Sequence, residues 1–122
     1  MPSLLIVDDE PEILETTKWA FEMAGFQVHT AASAEEALPQ ARNNRPDVLL
    51  IDYKLPQMNG LELLRAVRAW LPNVVAIMIT GLTHQSEDLE EESRQLGAAG
   101  FLQKPLQIDG VLNMVRERIR RP

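Results

Sequence analysis

The sequence predicts a three-layer α/β sandwich on a doubly wound parallel sheet, and three observations predict it. Five strand-length apolar runs, Leu4 to Val7, Phe26 to Thr30, Val48 to Ile51, Val74 to Ile79 and Phe101 with Leu102, alternate with segments of helical spacing. The first, third and fourth runs are apolar on both faces, as expected of central parallel strands that helices cover on each side. With 122 residues, 45% of them hydrophobic, the chain can bury one core and is too short for two.

In chain order, the first run ends at Asp8-Asp9-Glu10, and Pro11 suits a first helical turn, where its missing N–H is no loss. Ile13, Thr17, Ala20, Phe21 and Ala24 then recur at helical spacing until Gly25, which opens the turn into the second run. Ser33 followed by Glu36 reads as a capping box for the second helix. Pro39 falls inside that helix and removes a backbone bond, which predicts an irregular or shortened element. Pro46 and Pro56 sit in the loops around the third run, and Leu61, Leu64, Val67 and Leu71 mark a third helix that stops before Pro72. The fourth helix, strongly acidic from Ser86 to Ser93, has few apolar anchors, chiefly Leu89 and Leu96, and is expected to dock loosely before Gly97. Val111, Leu112, Val115 and Ile119 mark the fifth. No repeat, linker or low-complexity stretch interrupts this pattern, so residues 1–122 read as one domain.

Composition narrows the function. Acidic residues outnumber basic ones 18 to 12, and the net charge of -6 opposes direct nucleic-acid binding; only Arg116, Arg118, Arg120 and Arg121 form a basic stretch. The absence of cysteine excludes disulfides, thiolate zinc sites and cysteine nucleophiles. No apolar run is long enough to span a membrane, and no basic leader follows Met1, so a soluble cytoplasmic protein is expected. His29 and His84 lack partners at ligand spacing and read as surface residues, while Trp19 and Trp70 read as helix-surface cover.

In an open parallel sheet, ligands bind beyond the carboxyl ends of the strands. Here those ends carry Asp8-Asp9-Glu10, Asp52, Thr80-Gly81 and Lys104-Pro105. Converging carboxylates repel one another and raise at least one pKa, so a cation is expected among them. Mg²⁺, which takes one or two carboxylates, waters and a phosphate, fits better than a closed zinc site. Asp52 can act as a nucleophile that accepts a phosphoryl group as an acyl phosphate, with Asp8 and Asp9 holding the metal. Lys104 and the Thr80 hydroxyl would then take phosphoryl oxygens. Helix capping would account for one of Asp8 and Asp9, but not for a partnership with Asp52.

These residues carry a family resemblance over nearly the whole chain. It resembles the receiver domain of two-component response regulators in four ordered stretches: Leu5 to Glu10, Leu50 to Gly60, Ile79 to Gly81, and Gly97 to Pro105. The resemblance implies a flavodoxin-like (βα)5 fold with strand order 2-1-3-4-5 and a crevice between strands 1 and 3. By it, Asp52 matches the phosphoacceptor, Asp8 and Asp9 the acidic pair, and the backbone carbonyl of Lys54 a third metal contact. Thr80, followed by Gly81, matches the switch hydroxyl, Lys104 the phosphate-binding lysine, and Lys104-Pro105 a peptide that is usually cis. Phe101 aligns with the switch aromatic, although a plain core role also suits it.

The resemblance also implies a phosphohistidine donor, on a sensor histidine kinase or a histidine phosphotransfer protein. A phosphoryl group adds about -1.5 to -2 charges, which would draw Thr80 towards Asp52 and let Phe101 fill the space behind it. That population shift would repack the fourth helix, fifth strand and fifth helix, the surface that meets an output domain or downstream protein. The sequence departs from the pattern in a longer segment between Thr80 and Lys104. It also has Ala99-Gly100 where the winged-helix branch often carries acidic residues for a salt-bridged dimer, which makes that dimer unexpected. Lys54 and Leu82 lie near positions that tune dephosphorylation in the family.

Two other classes fit less well. A phosphatase with an aspartyl nucleophile needs an acid-base carboxylate two residues later, where this chain has Lys54. An interaction module that is never phosphorylated leaves the acidic set without a purpose. Nor does a glycine-rich phosphate loop follow the first strand. The chain is therefore expected to catalyse only its own phosphorylation and dephosphorylation.

Overall fold

A computed structural model describes residues 1–81 and 86–119, apart from the side chains of residues 86 and 87; Leu82, His84, Arg120 and Arg121 lie outside the described residues. Five strands alternate with five helices: β1 (Ser3–Val7), α1 (Pro11–Met23), β2 (Gln27–Ala31), α2 (Ala34–Asn44), β3 (Val48–Asp52), α3 (Gly60–Arg68), β4 (Val75–Thr80), α4 (Ser86–Gln95), β5 (Gly100–Gln103) and α5 (Ile108–Ile119). All strand pairs are parallel and the sheet order is β2-β1-β3-β4-β5.

Side-chain alternation along the strands builds two cores. Leu4 and Ile6, with Leu50, Ile77 and Ile79, point towards α1 and α5, where they meet Phe21, Val111 and Val115. Leu5 and Val7, with Leu49, Ile51 and Met78, point towards the opposite layer of Ala37, Ala41, Leu64, Val67 and Leu89. Because both faces are covered, β1 and β3 read as unbroken apolar runs rather than alternating ones. None of the described helices is long and apolar enough to cross a membrane.

Helix ends follow local chemistry. At the end of α1, Gly25 takes φ +96, its N–H donates to the Glu22 carbonyl, and the Phe26 N–H donates to the Phe21 carbonyl. This is a Schellman turn, and its hydrophobic contact is the edge-on packing of Phe21 and Phe26, with ring centroids 5.0 Å apart. Gly97 closes α4 by the same pair of bonds, to Arg94 and Ser93. At α2, two expectations are corrected. The helix runs unbroken through Pro39 to Asn44, held by Ala34, Ala37 and Ala41 buried against the sheet. The capping box at Ser33 is half-formed: Ser33 caps the Glu36 N–H, but the Glu36 carboxylate accepts from Ala32 instead. The complete box lies at α3, between Asn59 and Glu62, where the sequence reading did not place one.

Candidate functional site

The strand register gathers the expected residues at one edge. Val7 pairs with Ile51, Asp52 with Ile79, and Thr80 with Gln103, so Asp8, Asp52, Gly81 and Lys104 all emerge at the carboxyl ends of β1, β3, β4 and β5. Backbone bonds hold these exits: Asp8 N–H to the Ala31 carbonyl (3.1 Å), Tyr53 N–H to Ile79 (2.8 Å) and Lys104 N–H to Thr80 (2.8 Å). Gly60 opens α3 against the end of β3, its N–H donating to the Tyr53 carbonyl at 2.7 Å. A side chain there is barred, since an added Cβ would lie 2.5 Å from the Asp52 carbonyl oxygen.

Asp9, Glu10, Asp52, Lys54, Gly81 and Lys104 line a cavity of about 380 Å³ at this edge. Asp8 and Asp52 are buried beneath it, whereas Asp9 is exposed. One carboxylate oxygen from each of Asp8, Asp9 and Asp52 lies within 4.8 Å of the others. The Lys104 ammonium stands among the acids, 3.2 Å from Asp8 Oδ2, 3.1 Å from Glu10 Oε1 and 3.2 Å from Asp52 Oδ2. The Lys54 N–H donates to Asp52 Oδ1 at 3.3 Å. Asp8 Oδ1 accepts the Glu10 N–H at 2.9 Å. Asp8 Oδ2 is buried and faces the Lys104 ammonium as an ion pair.

Electrostatics follow this geometry. Burial, reinforced by the charge of Asp8, pushes the Asp52 carboxyl up to about 6, against the pull of Lys104. Burial likewise raises Asp8. The Lys104 ammonium is disfavoured by its own burial, but its bond to Glu10 and the charges of Asp52 and Asp8 outweigh this and raise it above the ordinary lysine range. Lys104 thus brings one positive charge among the converging carboxylates, where the sequence predicts a cation.

Three carboxylates share one ammonium, Asp9 adds a fourth acid beside Asp8 and Asp52, and Asp8 Oδ2 is buried with only the Lys104 ion pair. These are hard oxygen donors with excess negative charge, which fit a Mg²⁺ ion. Neither Asp8 nor Asp9 caps α1: its N-cap residue is Glu10, which makes no side-chain cap bond, and Pro11 occupies the first turn.

Thr80 is buried at the end of β4 and the Lys104-Pro105 bond is cis. Phe101 is half-buried on β5, packed against the α2, α3 and α4 layer. It lines a separate cavity of about 320 Å³ between α4 and α5, with Glu90, Arg94, Met114 and Arg118. Glu10 has a direct bond to Lys104 that the sequence reading did not assign, although its place in the Asp8-Asp9-Glu10 run put it at the right strand end.

The family profile described as the response regulator receiver domain matches residues 4–116. A transcriptional regulatory protein, KdpE, of Mycobacterium tuberculosis is 34% identical, with 99% of this chain and 52% of that protein covered. Sporulation initiation phosphotransferase F of Bacillus subtilis is 33% identical, with 93% of this chain and 90% of that protein covered. The chain thus spans about half the length of several curated relatives and most of another. Among solved structures, a CheY-like receiver domain protein of Methanospirillum hungatei superposes with a TM-score of 0.91 at 33% identity, covering 98% of this chain and 94% of that one. The chain belongs to the response regulator receiver domain family, the phosphorylation-based signalling domains of two-component systems.

Proposed function

We propose that residues 1–122 act as one phosphoacceptor unit in which Asp52 receives a phosphoryl group from a phosphohistidine of a sensor kinase or histidine phosphotransfer protein. The observation that carries this reading is the convergence of Asp8, Asp9, Asp52 and Lys104 from three strand ends on one cavity. In the transfer, an Asp52 oxygen attacks phosphorus as the phosphorus–nitrogen bond to the imidazole breaks. Asp52, with its pKa near 6, is mostly ionised at neutral pH and needs no general base. Asp8, Asp9, Asp52 and the Lys54 carbonyl would hold Mg²⁺, which supplies positive charge for the phosphoryl oxygens when bound. Lys104 neutralises another oxygen, and Thr80, followed by Gly81, supplies the switch hydroxyl.

The readout then passes from Thr80 to Phe101 and the α4-β5-α5 surface, which meets an output domain or downstream protein. The setting is cytoplasmic. Incubation with Mg²⁺ and acetyl phosphate, followed by mass spectrometry, tests the reading. One labile phosphoryl group on Asp52, absent from Asp52→Asn, is the expected result. A protein that remains unmodified, or that steadily releases phosphate from small esters, would contradict it.

A further inference from the structure

Lys104 is the ammonium that the proposed reaction needs, and three carboxylates hold it. Two of them, Asp8 and Asp52, belong to the group of oxygens suited to the metal; Glu10 does not. Glu10 stands at the open edge, with its side chain 56% exposed, and reaches Lys104 Nζ at 3.1 Å across 94 residues of sequence. A cation bound by Asp8 and Asp52 draws on the carboxylates that now hold Lys104. A cation held there would weaken the hold of Asp8 and Asp52 on the ammonium, whereas Glu10, outside that group of oxygens, would remain its partner.

We propose that Glu10 is a positioning residue that holds the Lys104 ammonium at the cavity rim while Asp8 and Asp52 turn to the metal. This inference rests on the proposed metal and phosphoryl site and deepens it. With Glu10 present, releasing Asp8 and Asp52 leaves Lys104 still paired. Without it, Lys104 has only those two carboxylates, and it competes with the metal for both. The side chain thus favours the metal-loaded arrangement by its contact with Lys104, in addition to its charge.

The two contributions separate by substitution. Glu10→Gln removes the charge, whereas Glu10→Asp keeps the charge but shortens the reach to Lys104. Mg²⁺ affinity measured by isothermal titration calorimetry on the whole protein is expected to fall about 2- to 5-fold in Glu10→Gln, the scale of a partly exposed ion pair. Glu10→Asp is expected to weaken binding by nearly as much. In a Lys104→Met background, where there is no ammonium to hold, the same changes are expected to have less than half that effect on a logarithmic scale.

Glu10→Asp binding Mg²⁺ as tightly as the parent, or a Glu10→Gln loss that is undiminished without Lys104, would show that only bulk charge matters and overturn the inference. Parent protein that binds no Mg²⁺ overturns the functional reading itself, which the mass-spectrometric test also reports. Circular dichroism of each variant separates a folding defect from a binding defect. A Glu10→Gln protein that does not fold counts against a positioning role, because the side chain then serves the fold.

Discussion

At the scale of single residues, Asp52 is a charge held where the fold does not favour it. Its carboxyl is raised to about 6 by burial and by Asp8, and Lys104 offsets only part of that. Asp52→Asn removes the buried charge while keeping the shape, so the metal-free variant is expected to be more stable at pH 7.5. The gain expected is about 1 kcal/mol, after allowance for solvent screening at the open edge of the cavity. Thermal denaturation without divalent ions checks this, and an Asp52→Asn protein less stable than the parent would mean that Lys104 outweighs burial. Asp8, Asp52 and Lys104 were legible as candidates because each lies just beyond a strand-length apolar run, at the sheet edge where ligands bind in such folds. The contact of Glu10 with Lys104 was not, because a partner 94 residues away is set by the fold.

At the scale of elements, Arg68 ties two connections together. From the end of α3 its guanidinium donates to the carbonyls of Val74 (2.6 Å), Pro72 (3.2 Å) and Leu71 (3.5 Å) on one side, and of Gly97 (2.8 Å) and Leu96 (3.1 Å) on the other. Burial lowers the Arg68 pKa from its ordinary value, and among these bonds every acceptor is a backbone carbonyl. Arg68→Met is expected to cost about 2 to 4 kcal/mol, as several bonds to a charged group are lost together. Arg68→Lys is not expected to restore it, because an ammonium cannot span both sets of carbonyls. Urea denaturation measures the loss; a fully stable Arg68→Lys protein would refute the clamp.

Gly60 makes a second demand, since an added Cβ would meet the Asp52 carbonyl, which cannot yield as a side chain does. Gly60→Ala is expected to lose about 1 to 3 kcal/mol through overpacking at the start of α3. Its acetyl phosphate labelling is also expected to slow, because the Asp52 backbone shifts. Helix boundaries marked by Gly25 and Gly97 were readable, as positive φ singles out glycine there. The Arg68 clamp was not, because its acceptors are carbonyls that carry no sequence signal.

At the scale of the whole molecule, apolar runs with two covered faces identified the parallel sheet, whereas the order of its strands came from family resemblance alone. Local pattern fixes which residues are inside, but not which strand lies beside which. That order decides the chemistry, since it sets β1 beside β3 and so Asp8 beside Asp52. A carboxylate buried this way links its protonation to global stability with a definite sign. The folded-state pKa of Asp52 is about 6, above its ordinary 3.8. Between those values the folded protein binds more protons than the unfolded chain. This carboxylate's share of stability is therefore greatest at low pH and is lost as pH rises through 6.

A Mg²⁺ ion held as proposed would compete with the proton for the same oxygens, so it is expected to stabilise least where Asp52 is protonated. At a fixed saturating Mg²⁺ concentration, the rise in Tm is expected to be larger at pH 7.5 than at pH 5.5. At 100 times the dissociation constant, ligand linkage amounts to about 2.7 kcal/mol. Asp52→Asn is expected to flatten the difference between the two pH values. An equal Tm rise at both pH values in the parent protein would mean that the metal does not use the Asp52 carboxylate, and that the convergence at this sheet edge serves another purpose.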